Sequence, residues 1–115
     1  MIGGIFFKAK DPEGLRRWYV EQLGLPMNER GFVIFTAKGG ERSTFATFAA
    51  SSTHFPGAFM INFRVEDLDA TLARLRAAGA TVDDKVEDGG PLGKFGWCTD
   101  PEGNRVELWQ PGPGR

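Results

Sequence analysis

The chain has 115 residues, 41% of them hydrophobic and 25% charged, which leaves room for one domain whose core can fold without staples. Fourteen basic against fifteen acidic residues give a net charge of -1, and no stretch gathers Lys or Arg into a stripe that would track phosphates, so neither composition nor charge points to nucleic acid. Apolar stretches are strand-sized, well short of the roughly 20 residues of a membrane span, and Met1 to Lys8 lacks the organisation of a signal peptide, so a cytoplasmic location is expected.

In chain order, Gly3 to Ala9 reads as a strand, rich in aromatic and branched residues. Asp11-Pro12 then supplies a helix cap and first turn, followed by Leu15, Trp18, Tyr19 and Leu23 at helical spacing, and Gly24 as the stop. A short or irregular strand near Met27 precedes strands at Phe32 to Thr36 and Ser43 to Phe48, joined through Gly39-Gly40. The small, polar segment Ala49 to Ala58 reads as a linker, with a lid over a cavity as its alternative.

The pattern then repeats. Phe59 to Val65 reads as a strand, and a helix starts at Glu66-Asp67, carries Leu68, Leu72 and Leu75 on one face and stops at Gly79. Strands are expected at Ala80 to Glu87, Lys94 to Thr99 and Asn104 to Gln110, the last two joined by the turn Asp100-Pro101-Glu102-Gly103. Two βαβββ units at a spacing of roughly 55 residues make a tandem duplication rather than a solenoid. The units span about residues 1–50 and 58–112 of a single domain covering 1–115, with a linker at about 51–57. With one amphipathic helix per unit, the helices cover one face of an α+β fold, and the other face curves round a cavity.

The closing run Asp100-Pro101-Glu102-Gly103-Asn104-Arg105-Val106-Glu107-Leu108-Trp109 resembles the last hairpin of the vicinal oxygen chelate superfamily, which includes glyoxalase I, bleomycin-binding proteins and extradiol dioxygenases. Asp11-Pro12, Trp18-Tyr19, Leu23-Gly24-Leu25 and Phe63-Arg64-Val65-Glu66-Asp67-Leu68 agree with it. The resemblance implies a cupped sheet of two βαβββ units, and in metal-dependent members a divalent ion held by His or Glu on the first and last strands of each unit. Glu107 matches the carboxylate of the final strand. Its expected companions fall at about Gly4 and Met60 and around Thr47 and Phe48, none of which is a competent ligand for a hard metal. The chain is therefore identified as a member with a largely missing ligand set. No metal-binding residue is assigned and no cofactor is expected, a divalent ion remaining the alternative if other residues supply ligands.

Strand alternation decides what shares the cup with Glu107. Arg105 and Trp109 do, as do Met60, Asn62 and Arg64 on the strand opening the second unit, and Gly4, Phe6 and Lys8 on the first strand. Glu107 is the candidate base or acceptor, and Phe6, Lys8, Met60, Asn62, Arg64, Arg105 and Trp109 are the candidate ligand-binding residues. The bland alternative for Glu107 is neutralisation by Arg64 or Arg105. His54, the only histidine, reads as an exposed loop residue, and Cys98 as a small buried hydrophobe without chemistry. The glycine-rich run Glu87 to Trp97 reads as a flexible connection, with Phe95 and Trp97 able to close one wall.

The expected function is binding of a small organic molecule in the cup. The alternative is a lyase, isomerase or dioxygenase acting on a small oxygenated substrate, so whether the chain is an enzyme stays open. Analogy with the superfamily implies a homodimer, with Phe45, Phe48, Phe55 and Phe59 as candidates for its apolar patch.

Overall fold

The computed structural model describes residues 1–113 and 115. Its elements in chain order are β1 (Ile2–Ala9), α1 (Pro12–Leu23), β2 (Val33–Thr36), β3 (Arg42–Ala49), β4 (Phe59–Arg64), α2 (Leu68–Ala77), β5 (Thr81–Val82), β6 (Glu87–Asp88), β7 (Gly93–Thr99) and β8 (Arg105–Pro111). All eight strands belong to one sheet of order β2-β3-β1-β4-β8-β7-β5, with β6 paired to β7. None of the described helices is long and apolar enough to cross a membrane.

The duplication is visible in the pairing. The first strand of each unit lies parallel to the last strand of that unit, β1 beside β3 and β4 beside β8, and the helix makes the crossover between them. The units join through β1 and β4, which run antiparallel with Ile5 opposite Ile61. Phe6 pairs with Ala46 as Asn62 pairs with Glu107, so the first-unit counterpart of Glu107 is Ala46, not Thr47 or Phe48.

Both helices start as their sequences dictate. The Asp11 carboxylate accepts the Gly14 amide and the Asp67 carboxylate accepts that of Ala70, satisfying first-turn donors that have no partner in the helix. Gly24 ends α1 in the left-handed conformation, at φ 67°. The two helices cover the sheet unequally. Leu68 and Leu72 of α2 are fully buried against Cys98 and Leu108, with Val65, Leu75, Val82 and Val106 around them. No residue of α1 is fully buried; Tyr19 rests on Phe45, and Trp18 is exposed.

Three expectations change. Ala80 to Glu87 is not a continuous strand: it forms two-residue strands on either side of a break, because Thr81 and Val82 pair with Thr99 and Cys98 while Glu87 pairs with Phe95. Near Met27 there is only a single bridge, to Val33. The Ala49 to Ala58 segment does more than link, since Phe55 drops into the concave face and packs on Met60 and Trp97, with Phe6, Phe48 and Phe95 beside them. This second core closes one end of the cup.

Candidate functional site

Glu107 sits at the middle of the concave face, 4% exposed. Its carboxylate takes three hydrogen bonds from three separate elements. Asn62 Nδ2 on β4 donates to Oε1 at 2.7 Å, Trp97 Nε1 on β7 donates to Oε2 at 2.9 Å, and His54 Nε2 lies 3.2 Å from the same Oε2. A carboxylate can only accept, so His54 carries its proton on Nε2. The imidazole is held flat against Phe48, with ring centroids 5.7 Å apart, and about two fifths of its side chain reaches solvent.

Beside this cluster lies a cavity of about 240 Å³. Phe6, Ile34, Leu92, Phe95 and Trp109 form its apolar wall, and Asn62 and Glu107 its polar floor. Trp109 is fixed by donating Nε1 to the Leu92 carbonyl at 2.7 Å and by parallel stacking on Phe95. Asn62 is 2% exposed, and its Oδ1 has no hydrogen-bond partner among the described residues. The amide cannot be turned round to cure this, because Oδ1 would then meet the Glu107 carboxylate, acceptor against acceptor.

The space beside Asn62 exists because β1 carries a glycine there. The register between β1 and β4 shifts by one residue between Ile2 and Gly4, and a Cβ at Gly3 would come 2.5 Å from Asn62 Oδ1 and 3.0 Å from Trp109 Cε3. The bulge thus turns two consecutive glycine positions toward the concave face.

The remaining sequence candidates lie elsewhere. Met60 is in the core under Phe55, and Lys8 sits with Nζ 5.0 Å from the centre of the Phe55 ring, outside the cavity. Neither arginine neutralises Glu107. Arg64 lies over Trp109 and donates to the Arg42 and Arg115 carbonyls, and Arg105 donates to Asp83 Oδ2 at 2.8 Å while lying over Trp97. His54 lies exposed on its loop as expected, and in addition it is a partner of the carboxylate. One signal for it was present: Phe55 is the only large apolar residue in an otherwise small and polar segment, and its burial brings His54 with it.

The donor set does not suit a metal ion. No group of three or more His, Cys, Asp or Glu side chains that could hold one is found among the described residues. Glu107 has no second carboxylate beside it, and its oxygens already accept from Asn62, Trp97 and His54, which leaves too few free donor atoms to complete a metal's coordination shell. Cys98 lies on the other face of β7, where burial first and the nearby Asp83 and Asp100 charges next push its thiol pKa up.

Comparison with known proteins agrees with this architecture. The family model described as Glyoxalase/Bleomycin resistance protein/Dioxygenase superfamily matches residues 2–108. No curated protein matches the sequence. Among solved structures, a Streptomyces coelicolor methylmalonyl-CoA epimerase variant in complex with 2-nitronate-propionyl-CoA is similar with a TM-score of 0.74 at 18% identity, covering 98% of this chain and 95% of that one. Mycobacterium tuberculosis methylmalonyl-CoA epimerase gives 0.69 at 20%, with 97% and 88% covered. A glyoxalase/bleomycin resistance protein/dioxygenase superfamily member from Vibrio splendidus gives 0.64 at 15%, with 96% and 99% covered. At these identities the likeness is one of fold.

Proposed function

The chain belongs to the glyoxalase/bleomycin resistance protein/dioxygenase superfamily, and from that premise we propose that it binds a small organic molecule in the cup, on the Asn62 and Glu107 floor, without a complete metal site. The observation that carries the reading is the buried, unpartnered Asn62 Oδ1 at the floor of an apolar cavity. An unmade buried hydrogen bond costs about 1–3 kcal/mol, and a ligand that fills the cavity and donates to that oxygen recovers it.

The size of the cavity favours a compact ligand, with an apolar body against Phe6, Phe95 and Trp109 and a polar end on the floor. A thermal-shift screen of compact aromatic and aliphatic compounds tests this. Hits should raise the melting temperature of the native protein and lose that effect in Asn62→Leu. A screen without hits, or hits indifferent to Asn62→Leu, overturns the reading.

A second reading, catalysis, is favoured by one contact. His54 touches Glu107 on one side and solvent on the other, which gives the buried carboxylate a route for exchanging a proton with water. The epimerases among the structural neighbours make proton transfer a reasonable class to try. Turnover of a screening hit that Glu107→Gln abolishes while binding persists would establish it; an unchanged compound after long incubation with stoichiometric protein would dismiss it.

A further inference from the structure

We infer that the group seated on the cavity floor is a hydrogen-bond-donating cation, a small amine carried on an apolar body. The inference rests on the binding role proposed above and names the ligand class for that same site. Two facts carry it. The floor is short of donors rather than of acceptors: the Asn62 Oδ1 acceptor is buried with no donor, and Glu107 Oε1 has one, Asn62 Nδ2. Both residues line the cavity, so a group with several N–H donors placed there can serve both.

The second fact is charge. Glu107 is buried, and its partners Asn62 and Trp97 are neutral; its third, His54, is neutral whenever it carries a single proton. Arg105 is committed to Asp83 and Arg64 to two backbone oxygens, and Arg42 and Arg115, which also line the cavity, make no ion pair with Glu107. A buried carboxylate without a fixed cation gains from one that arrives with the ligand. The walls agree with that sign, since Phe6, Phe95 and Trp109 offer ring faces or edges beside the floor, and ring faces attract cations. Arg42 and Arg115 lie on the cavity lining as well, so they favour an acceptor elsewhere on the same ligand, away from its amine.

Four probes of one shape separate the head groups: 2-phenylethylamine, 2-phenylethanol, phenylacetamide and phenylacetate, each titrated calorimetrically into the native protein. The amine should bind about tenfold tighter than the alcohol, with phenylacetate the weakest. Glu107→Gln should lower amine affinity about tenfold and leave the alcohol nearly unchanged. Phenylacetate binding better than the amine overturns the inference, as does amine affinity that survives Glu107→Gln. Should that variant fail to fold, the order of the four probes on the native protein decides alone. If none of the four binds while other compounds raise the melting temperature in an Asn62-dependent way, the amine inference falls and the binding role stands. If no compound of any class binds, both fall.

Discussion

Trp97 and Glu107 are direct partners across β7 and β8, and the indole N–H of one donates to the carboxylate of the other at 2.9 Å. A rigid ladder position thus holds the carboxylate from one side, Asn62 holds it from the neighbouring strand, and His54 reaches it from the loop between the units. Glu107→Ala would leave the indole N–H and the Asn62 amide buried without their acceptor. A loss of about 2–5 kcal/mol in urea unfolding is expected, larger than for an exposed glutamate such as Glu102.

Gly3→Ala should act on both stability and binding. The new methyl would lie 2.5 Å from Asn62 Oδ1 and 2.8 Å from Arg64 Cγ, so those side chains must shift. A cost of about 1–3 kcal/mol is expected, together with loss of the thermal shift produced by any ligand of the floor. Gly39→Ala, where a Cβ would meet nothing within 4 Å, is the control.

Phe55→Ala tests whether the linking segment is part of the core. Phe55 is 1% exposed on Met60 and Trp97, and its truncation should cost about 3–5 kcal/mol by chemical unfolding. Protease cleavage within residues 49–58 should quicken in the same variant. A cost below about 1 kcal/mol would mean that the segment rests on the cup without anchoring there.

Acid should weaken the closing turn. Asp100 accepts from the Asn104 side chain and from the backbone amides of Asn104 and Glu102, and these bonds, the Asn104 side chain first, lower its pKa below the usual value. A carboxylate lowered on folding stabilises the fold above its unfolded pKa and loses that contribution as pH falls through the folded one. The melting temperature should therefore fall below about pH 4, with a smaller drop in Asp100→Asn.

The convex face yields a prediction about assembly. Ile2 with Phe63 and Phe7 with Phe59 pair across β1 and β4 around Ile5 and Ile61, and Ile2, Phe59 and Phe63 are exposed. This ladder lies about the junction of the two equivalent units, so two copies can meet there through the same residues, as a two-fold interface requires. It differs from the patch expected from sequence, because Phe48 and Phe55 belong to the cup and Phe45 is covered by Phe7 and Tyr19. Light scattering should give a dimer mass at micromolar concentration, returning to monomer in Phe59→Glu; a monomer mass in the native protein removes the interface.

Much of the fold was legible because the helix caps, the glycine stops and the Asp100 to Gly103 turn each have a local cause. Alternation from Glu107 also gave the side on which Asn62, Phe6 and Trp109 begin. It could not give the ends of long side chains. Arg64 and Arg105 start from strands beside the site, yet their guanidiniums travel several bonds to carbonyls and to Asp83, where parity has no say. His54 was hidden for a different reason. Its position follows from the burial of its neighbour Phe55, a tertiary event that no local period records.

The edges of the sheet are ill suited to recruiting further strands. On one side the backbone around Pro26 to Asn28 bonds to β2 through Phe32, Val33 and Ile34, and on the other β5 and β6 are two residues long. Growth of the sheet into a fibre by strand addition would have to begin by displacing the first or extending the second. Broad-face contacts are left as the route by which copies of this chain can meet, so even at high concentration its association should stop at a finite number of subunits instead of propagating.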